Sequence, residues 1–256
     1  MTLLFAIAAA NANDATVIRD GLASCSGSVT TLPVLDDRQM ESLLAGEVVR
    51  VLERPPDDSP RRAVAILLSS VPREDLWWAC QDPHFAAIEG LIEAKITTRA
   101  PDAHTWYGYI DAPRPISDRH WAVDSWNNHA LAKRSSGRCW EHPWKATTNG
   151  LPAARSAQRT GQLPGVTQEA FDNAVWVSTS DGAWFALTLS DARTLFIYHT
   201  TSSMGGAIPD WVVSRYVYGG LESMMKDMER RAATKKEHYT RAHAPVFDGA
   251  GAELPR

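Results

Sequence analysis

The chain has 256 residues, room for one large domain or two small ones, and its 44% hydrophobic and 22% charged residues are ordinary for a globular protein. Its 26 basic and 30 acidic residues interleave to a formal net charge of -4, which excludes the basic field that nucleic-acid binding needs. No apolar run approaches the roughly 18 residues of a membrane span.

Met1 to Ala12 is an apolar stretch ending in Ala10-Asn11-Ala12, a short h-region followed by a small-x-small cleavage pattern. Its n-region lacks Lys and Arg. Export, with residues 1–12 removed as a signal peptide and a periplasmic or extracellular location, is preferred. The alternative is a cytoplasmic protein whose apolar N-terminal helix packs on the domain. Leu22-Ala23-Ser24-Cys25 matches a lipoprotein box, but Asp14 to Gly21 carry charge where such a box needs a hydrophobic core. Residues 13–34 are small and polar, and are expected to be loosely held. Cys25, Cys80 and Cys139 are an odd set, so at most two can pair, and their spacing does not say which. Cys139 and His142 form an isolated C-x-x-H, too weak for a metal site; no metal or cofactor is expected.

The main domain is expected over residues 35–235. Leu35 to Leu44 has a helical pattern with Asp36 and Asp37 at its start. Glu47 to Leu52 and Ala63 to Leu68 read as strands, separated by a Pro-rich turn. Pro72 opens a short helix with Glu74 and Asp75 in its first turn. Ile92 to Thr98, Thr105 to Ile110, Trp121 to Trp126, Arg138 to Thr147, Ala174 to Thr179, Trp184 to Leu189 and Thr194 to Thr200 are further strands. Asp181-Gly182 carries a hairpin signal. Such closely spaced strands imply an antiparallel sheet. Asn149 to Asn173, rich in Gly, Pro and Gln, reads as a long surface loop.

A last helix is expected from Pro209 to about Ala233. Val213, Val217, Leu221, Met224 and Met228 form its apolar stripe. Arg215, Glu222, Lys226 and Glu229 form its wet face, Glu222 and Lys226 at ion-pair spacing. Gly219-Gly220 should weaken it in the middle. Residues 236–256 are polar, contain Gly and Pro, and are expected to be disordered.

The order of these elements suggests an α+β helix-grip fold, a curved antiparallel β-sheet wrapped around a long C-terminal helix. Three strings sharpen it: Asp75-Leu76-Trp77-Trp78-Ala79-Cys80-Gln81-Asp82-Pro83, Pro113-Arg114-Pro115-Ile116-Ser117-Asp118-Arg119-His120-Trp121, and Gly182 to Leu189 followed by Thr194 to Tyr198 and Gly205 to Val213. In order and spacing they resemble the START (StAR-related lipid transfer) domain family over roughly Ala45 to Ala233. The resemblance implies an internal hydrophobic cavity for one lipid-like molecule. It also implies transient contact with a membrane surface during loading. The carboxylate and arginine that some sterol-binding members place in that cavity would fall near Trp106 and on Ser125, where neither charge is present.

Strand parity puts Trp121, Val123 and Ser125 on one face and His120, Asp124 and Trp126 on the other. Trp140, His142 and Trp144 likewise oppose Glu141 and Lys145. The candidate lining is Trp106, Trp121, Val123, Ser125, Trp140, His142, Trp144, Tyr198, Val213, Tyr216, Val217 and Met224, a space walled almost wholly by carbon. The expected function is binding and transport of a neutral or weakly polar lipid (sterol-like, terpenoid or acyl), its hydroxyl near His142 or Ser125, by a monomeric, non-enzymatic protein. The alternative is a helix-grip enzyme of the polyketide cyclase type. No H-E-x-x-H, G-x-S-x-G or Walker pattern supports catalysis, and parity separates His142 from Asp124.

Overall fold

Residues 2–54, 60–82, 85, 90–112, 114, 116–203, 218–239 and 243–256 are described by a computed structural model. Among them, β-branched and aromatic runs pair into one nine-stranded sheet. The strands are β1 (Val49–Glu53), β2 (Arg62–Ser69), β3 (Leu91–Ala100), β4 (Ala103–Ile110), β5 (Arg119–Trp126), β6 (Cys139–Ala146), β7 (Val175–Trp176), β8 (Thr179–Thr188) and β9 (Thr194–Ser203). Their order is β1-β2-β9-β8-β6-β5-β4-β3, all antiparallel, with β7 lying parallel to β5. The helices are α1 (Thr2–Ser24), α2 (Asp37–Leu44), α3 (Arg73–Cys80), α4 (His129–Arg134), α5 (Gly150–Arg159), α6 (Gln168–Asn173), α7 (Leu221–Ala233) and α8 (Lys235–His238). The fold is α+β, as expected.

Helices cover both faces of the sheet, because both faces carry apolar side chains. On the inner face Ala65, Leu67, Trp140, Trp184 and Phe196 pack against Leu76 and Trp77 of α3 and the Leu221, Met224, Met225 and Met228 side of α7. On the outer face Val64, Ile66, Phe185, Leu187 and Ile197 pack against Ile18 of α1 and Met40 and Leu43 of α2. Farther along that face Ala94, Tyr107 and Tyr109 pack against α5 and α6 through Ala154, Ala157 and Phe171.

Four expectations differ from the structure. Residues 13–34 are tied down: α1 buries Ala15 and Ile18, and Cys25 is bonded to Cys139 at the start of β6. Beyond the disulfide, the buried Glu141 carboxylate accepts hydrogen bonds from the Val29 and Thr30 amides and from Asn128 Nδ2. Asn149 to Asn173 holds α5 and α6, the latter capped by Thr167 Oγ1, which accepts from the Ala170 amide. Asp181-Gly182 lies inside β8 rather than at a turn. A Cβ at Gly182 would sit 2.3 Å from both the His199 carbonyl and the Trp144 ring, so glycine is there for close approach. The turn comes later, where Ala192 adopts φ 68° between β8 and β9.

The fourth difference is the tail. Val246 and Leu254 are buried, and Phe247 bridges Glu253. Its anchors are backbone carbonyls: Trp77 Nε1 donates to Phe247 O, and Trp78 Nε1 to Pro255 O. Polar composition cannot reveal carbonyl anchors. The segment therefore reads as disordered from sequence although it is packed.

The last helix is described from Leu221, with Gly219 and Gly220 in a turn and Gly220 at the N-cap. Leu221, Met224 and Met228 are buried as the stripe predicts. Glu222 pairs with Arg50 of β1 at 3.4 Å, while Lys226 meets Glu229 at 3.4 Å. The tertiary partner displaces the expected pair within the helix. Among the described residues no helix is long and apolar enough to cross a membrane, and no cluster of His, Cys, Asp or Glu could hold a metal ion.

Candidate ligand-binding site

Register fixes which side chains share the inner face. Ser125 lies opposite Trp144 on β6 and His104 on β4, Val123 opposite Trp106, and Trp121 opposite Gly108. His142 lies opposite Trp184 on β8, which lies opposite Tyr198 on β9. Directly paired residues point to the same side of a sheet, so Trp106, Trp121, Val123, Ser125, Trp140, His142, Trp144, Trp184 and Tyr198 form one wall. Met224 of α7 packs in the same inner cluster. Val213, Tyr216 and Val217 lie outside the described residues.

Two tryptophans lie flat along this wall because the neighbouring strand offers glycine beneath them. A Cβ on Gly108 would be 2.3 Å from Trp121 Cε2, and one on Gly182 would be 2.3 Å from Trp144 Cζ2. Any side chain there would lift the indole off the sheet. Trp144 packs tilted against Tyr198 with ring centroids 5.7 Å apart, and Tyr198 against Trp184 at 4.6 Å, continuing the aromatic surface.

The lining is less uniformly carbon than expected. β3 pairs Glu93 with Gly108 and Lys95 with Trp106, which places both charged residues on the inner face. Burial pushes the Glu93 carboxyl up to about 7, yet its surface remains accessible. Tyr198 behaves alike: half-buried in surface, its phenol is pushed up to about 12, with the Glu93 charge contributing. Trp106, Trp121, Trp144 and Tyr198 along the wall are only half-buried, so the described residues leave the space in front of them unfilled, and that space is the hollow. Lys95 holds its ammonium 5.0 Å from the centre of the Trp106 ring, and burial lowers its pKa.

Sequence parity did not find Glu93, Lys95 or His104. The signal was present: Ile92, Ala94 and Ile96 alternate with Glu93 and Lys95. Without a helical layer outside, the apolar set would be assigned inward. In the structure α5 and α6 take that set, and the polar set turns to the hollow.

One end of the hollow is built around His142, 6% exposed, whose Nδ1 lies 2.7 Å from Asn127 Oδ1. The Asn127 amide nitrogen donates to the carbonyls of Phe247 and Asp248, both at 2.9 Å. The tail thus closes this end, with Gly249 pressed on the Trp140 ring. It leaves a recess of 10 Å³ beside Trp78 and Lys95, room for at most a single water. Burial pushes His142 down to about 3 and His104 to about 4, so both are neutral near pH 7. Asp124 is on the outer face, bonded to Thr105 Oγ1 and paired with Arg99. No catalytic couple with His142 exists there.

No family model and no curated protein matches the sequence. Solved structures do. A STAR-related lipid transfer protein fragment from Xanthomonas axonopodis matches with a TM-score of 0.55 at 14% identity, covering 73% of this chain and 94% of that one. Human STARD10 matches with a TM-score of 0.55 at 15% identity, over 83% and 86% of the two chains. Human StAR-related lipid transfer protein 5 matches with a TM-score of 0.54 at 10% identity, over 90% and 99%. At these identities the likeness speaks for architecture, and in architecture this chain has the helix-grip fold of the START domains.

Proposed function

We propose that the hollow binds a hydrophobic small molecule of the lipid class and that the protein carries it without chemical change, as a monomer that contacts a membrane surface transiently. The observation that carries this reading is the aromatic wall, with Trp121 and Trp144 laid flat over Gly108 and Gly182 and only half-buried. Apolar burial at roughly 25 cal/mol per Å² would drive binding, reduced by the cost of ordering the ligand. Lipid extraction from protein purified from its own host, followed by mass spectrometry, tests it. A stoichiometric apolar ligand is expected. Turnover of a small polar substrate with no such ligand would refute the carrier reading.

Gly108→Ala offers a local test. The three nearest atoms a new Cβ would meet belong to the Trp121 side chain, so the ring must lift into the hollow. Ligand affinity should fall by about tenfold, which corresponds to roughly 1.4 kcal/mol, while the variant stays folded. Unchanged affinity in a folded variant would mean the ligand does not lie on Trp121.

One observation favours a second reading, an enzyme of the cyclase type: desolvation raises the Glu93 carboxyl to about 7 and its charge acts on the Tyr198 phenol, a setting suited to acid–base chemistry. If turnover is found and Glu93→Gln abolishes it while preserving binding, that reading replaces the carrier.

Export is part of the proposal. The Ala10-Asn11-Ala12 pattern and the Cys25–Cys139 disulfide both suit an oxidising compartment. The mature N-terminus should lie near Asn13; intact mass of the native protein showing Met1 or Thr2 retained, in cytosolic protein, would overturn this.

A further inference from the structure

Three polar atoms on the inner face are left without partners in one corner of the hollow. Ser125 Oγ and His104 Nδ1 are buried and have no hydrogen bond among the described residues; their residues are 2% and 8% exposed. His142, one strand over, uses Nδ1 on Asn127, and no hydrogen bond reaches its Nε2 among the described residues. Buried polar groups without partners cost stability, and a cluster of them in a lined space points to a group that a ligand supplies.

The hydrogen-bond directions follow from the surroundings. Both hydrogens of the Asn127 amide are committed to the Phe247 and Asp248 carbonyls, so its Oδ1 faces His142 as an acceptor. A neutral imidazole meeting an acceptor at Nδ1 must carry its proton there. His142 Nε2 is then a bare lone pair. The corner presents the His142 lone pair, the unpartnered Nδ1 of His104 and the Ser125 hydroxyl between their strands.

We infer that this corner receives a donor-bearing polar group of the ligand, an alcohol, phenol or neutral amine, in preference to ethers and esters, with Asn127 as the positioning residue through which the C-terminal segment sets this preference. The inference rests on the proposed hydrophobic-ligand reading and narrows it. An ether or ester brings no proton and would leave the His142 lone pair unsatisfied. The tail is thereby part of the recognition apparatus: it orients the Asn127 amide, and the amide chooses the His142 tautomer.

Pyrenebutanol and its methyl ether share one ring system and differ only at the polar end. Binding to delipidated full-length protein, read by pyrene fluorescence, should favour the alcohol over the ether by roughly tenfold. Nitrogen-15 spectra should show His142 protonated at Nδ1 and bare at Nε2. In Asn127→Leu the imidazole should become a tautomer mixture and the alcohol preference should collapse, while ether affinity stays. Equal binding of the alcohol and its ether, or a proton on Nε2 in the wild-type protein, would overturn the inference and leave the hydrophobic-ligand reading intact. No binding of any probe would instead sink that underlying reading. If Asn127→Leu does not fold, the wild-type probe series and spectra still decide.

Discussion

Replacing Cys25 and Cys139 together by Ser is expected to lower the stability of the domain by several kcal/mol. The bond closes a loop across a sequence separation of 114 residues. For a loop that long the chain-entropy contribution reaches roughly 5 kcal/mol, and measured losses for native bridges run about 2–5 kcal/mol. Against a typical domain stability of about 5–15 kcal/mol, that is a large share. The loss should exceed the entropy share alone if the N-terminal strap detaches, because Glu141 would then keep a buried carboxylate while losing the Val29 and Thr30 amides. Denaturant unfolding of the double variant, beside the reduced wild-type protein, measures this. Cys80, the remaining thiol, is held at Trp77 O and pushed upward by burial, so it should not exchange into the bridge. A midpoint that does not move would mean that α1 and the strap hold without the disulfide.

How much of this was legible beforehand depends on which side chains speak for themselves. Period-two alternation placed Trp121, Val123 and Ser125, and Trp140, His142 and Trp144, on a common face, and register confirms that placement. The Leu221, Met224 and Met228 stripe was equally plain in the sequence. The inward face of β3 was not legible, for a physical reason. Its apolar set faces outward because α5 and α6 cover it, and those helices lie where Gly, Pro and Gln suggested a loop. Hydrophobic alternation tells which residues share a face, but not which face has a second layer. Cys25–Cys139 and the Asn127–tail contacts join segments far apart in sequence. Backbone carbonyls provide half of the latter, and composition carries no trace of them.

Acidification from pH 7 to pH 5 is expected to destabilise the protein steeply. Four buried histidines are pushed down in the folded state, His104 and His120 to about 4, His142 and His199 to about 3. Each would titrate at about 6.5 when unfolded. The unfolded chain therefore binds more protons between roughly pH 3 and 6.5, and stability is lost as pH falls through that window. Glu93 has the opposite sign. Its carboxyl, raised to about 7, is protonated in the folded state where an unfolded glutamate is ionised, so it favours the fold below about pH 7 and opposes it above. Near pH 5 the histidines prevail by about three protons, a slope of at most roughly 4 kcal/mol per pH unit. Urea midpoints at pH 5, 6, 7 and 8 should rise between the first and third values and flatten or dip at the last. Glu93→Gln separates the two contributions: it should leave the acid limb in place and raise stability at pH 8, where the wild-type protein must hold an ionised carboxylate inside the hollow. A midpoint independent of pH from 5 to 7 would show that these imidazoles are hydrated in the folded state. A Glu93→Gln variant no more stable than wild type at pH 8 would place the Glu93 carboxyl in open water.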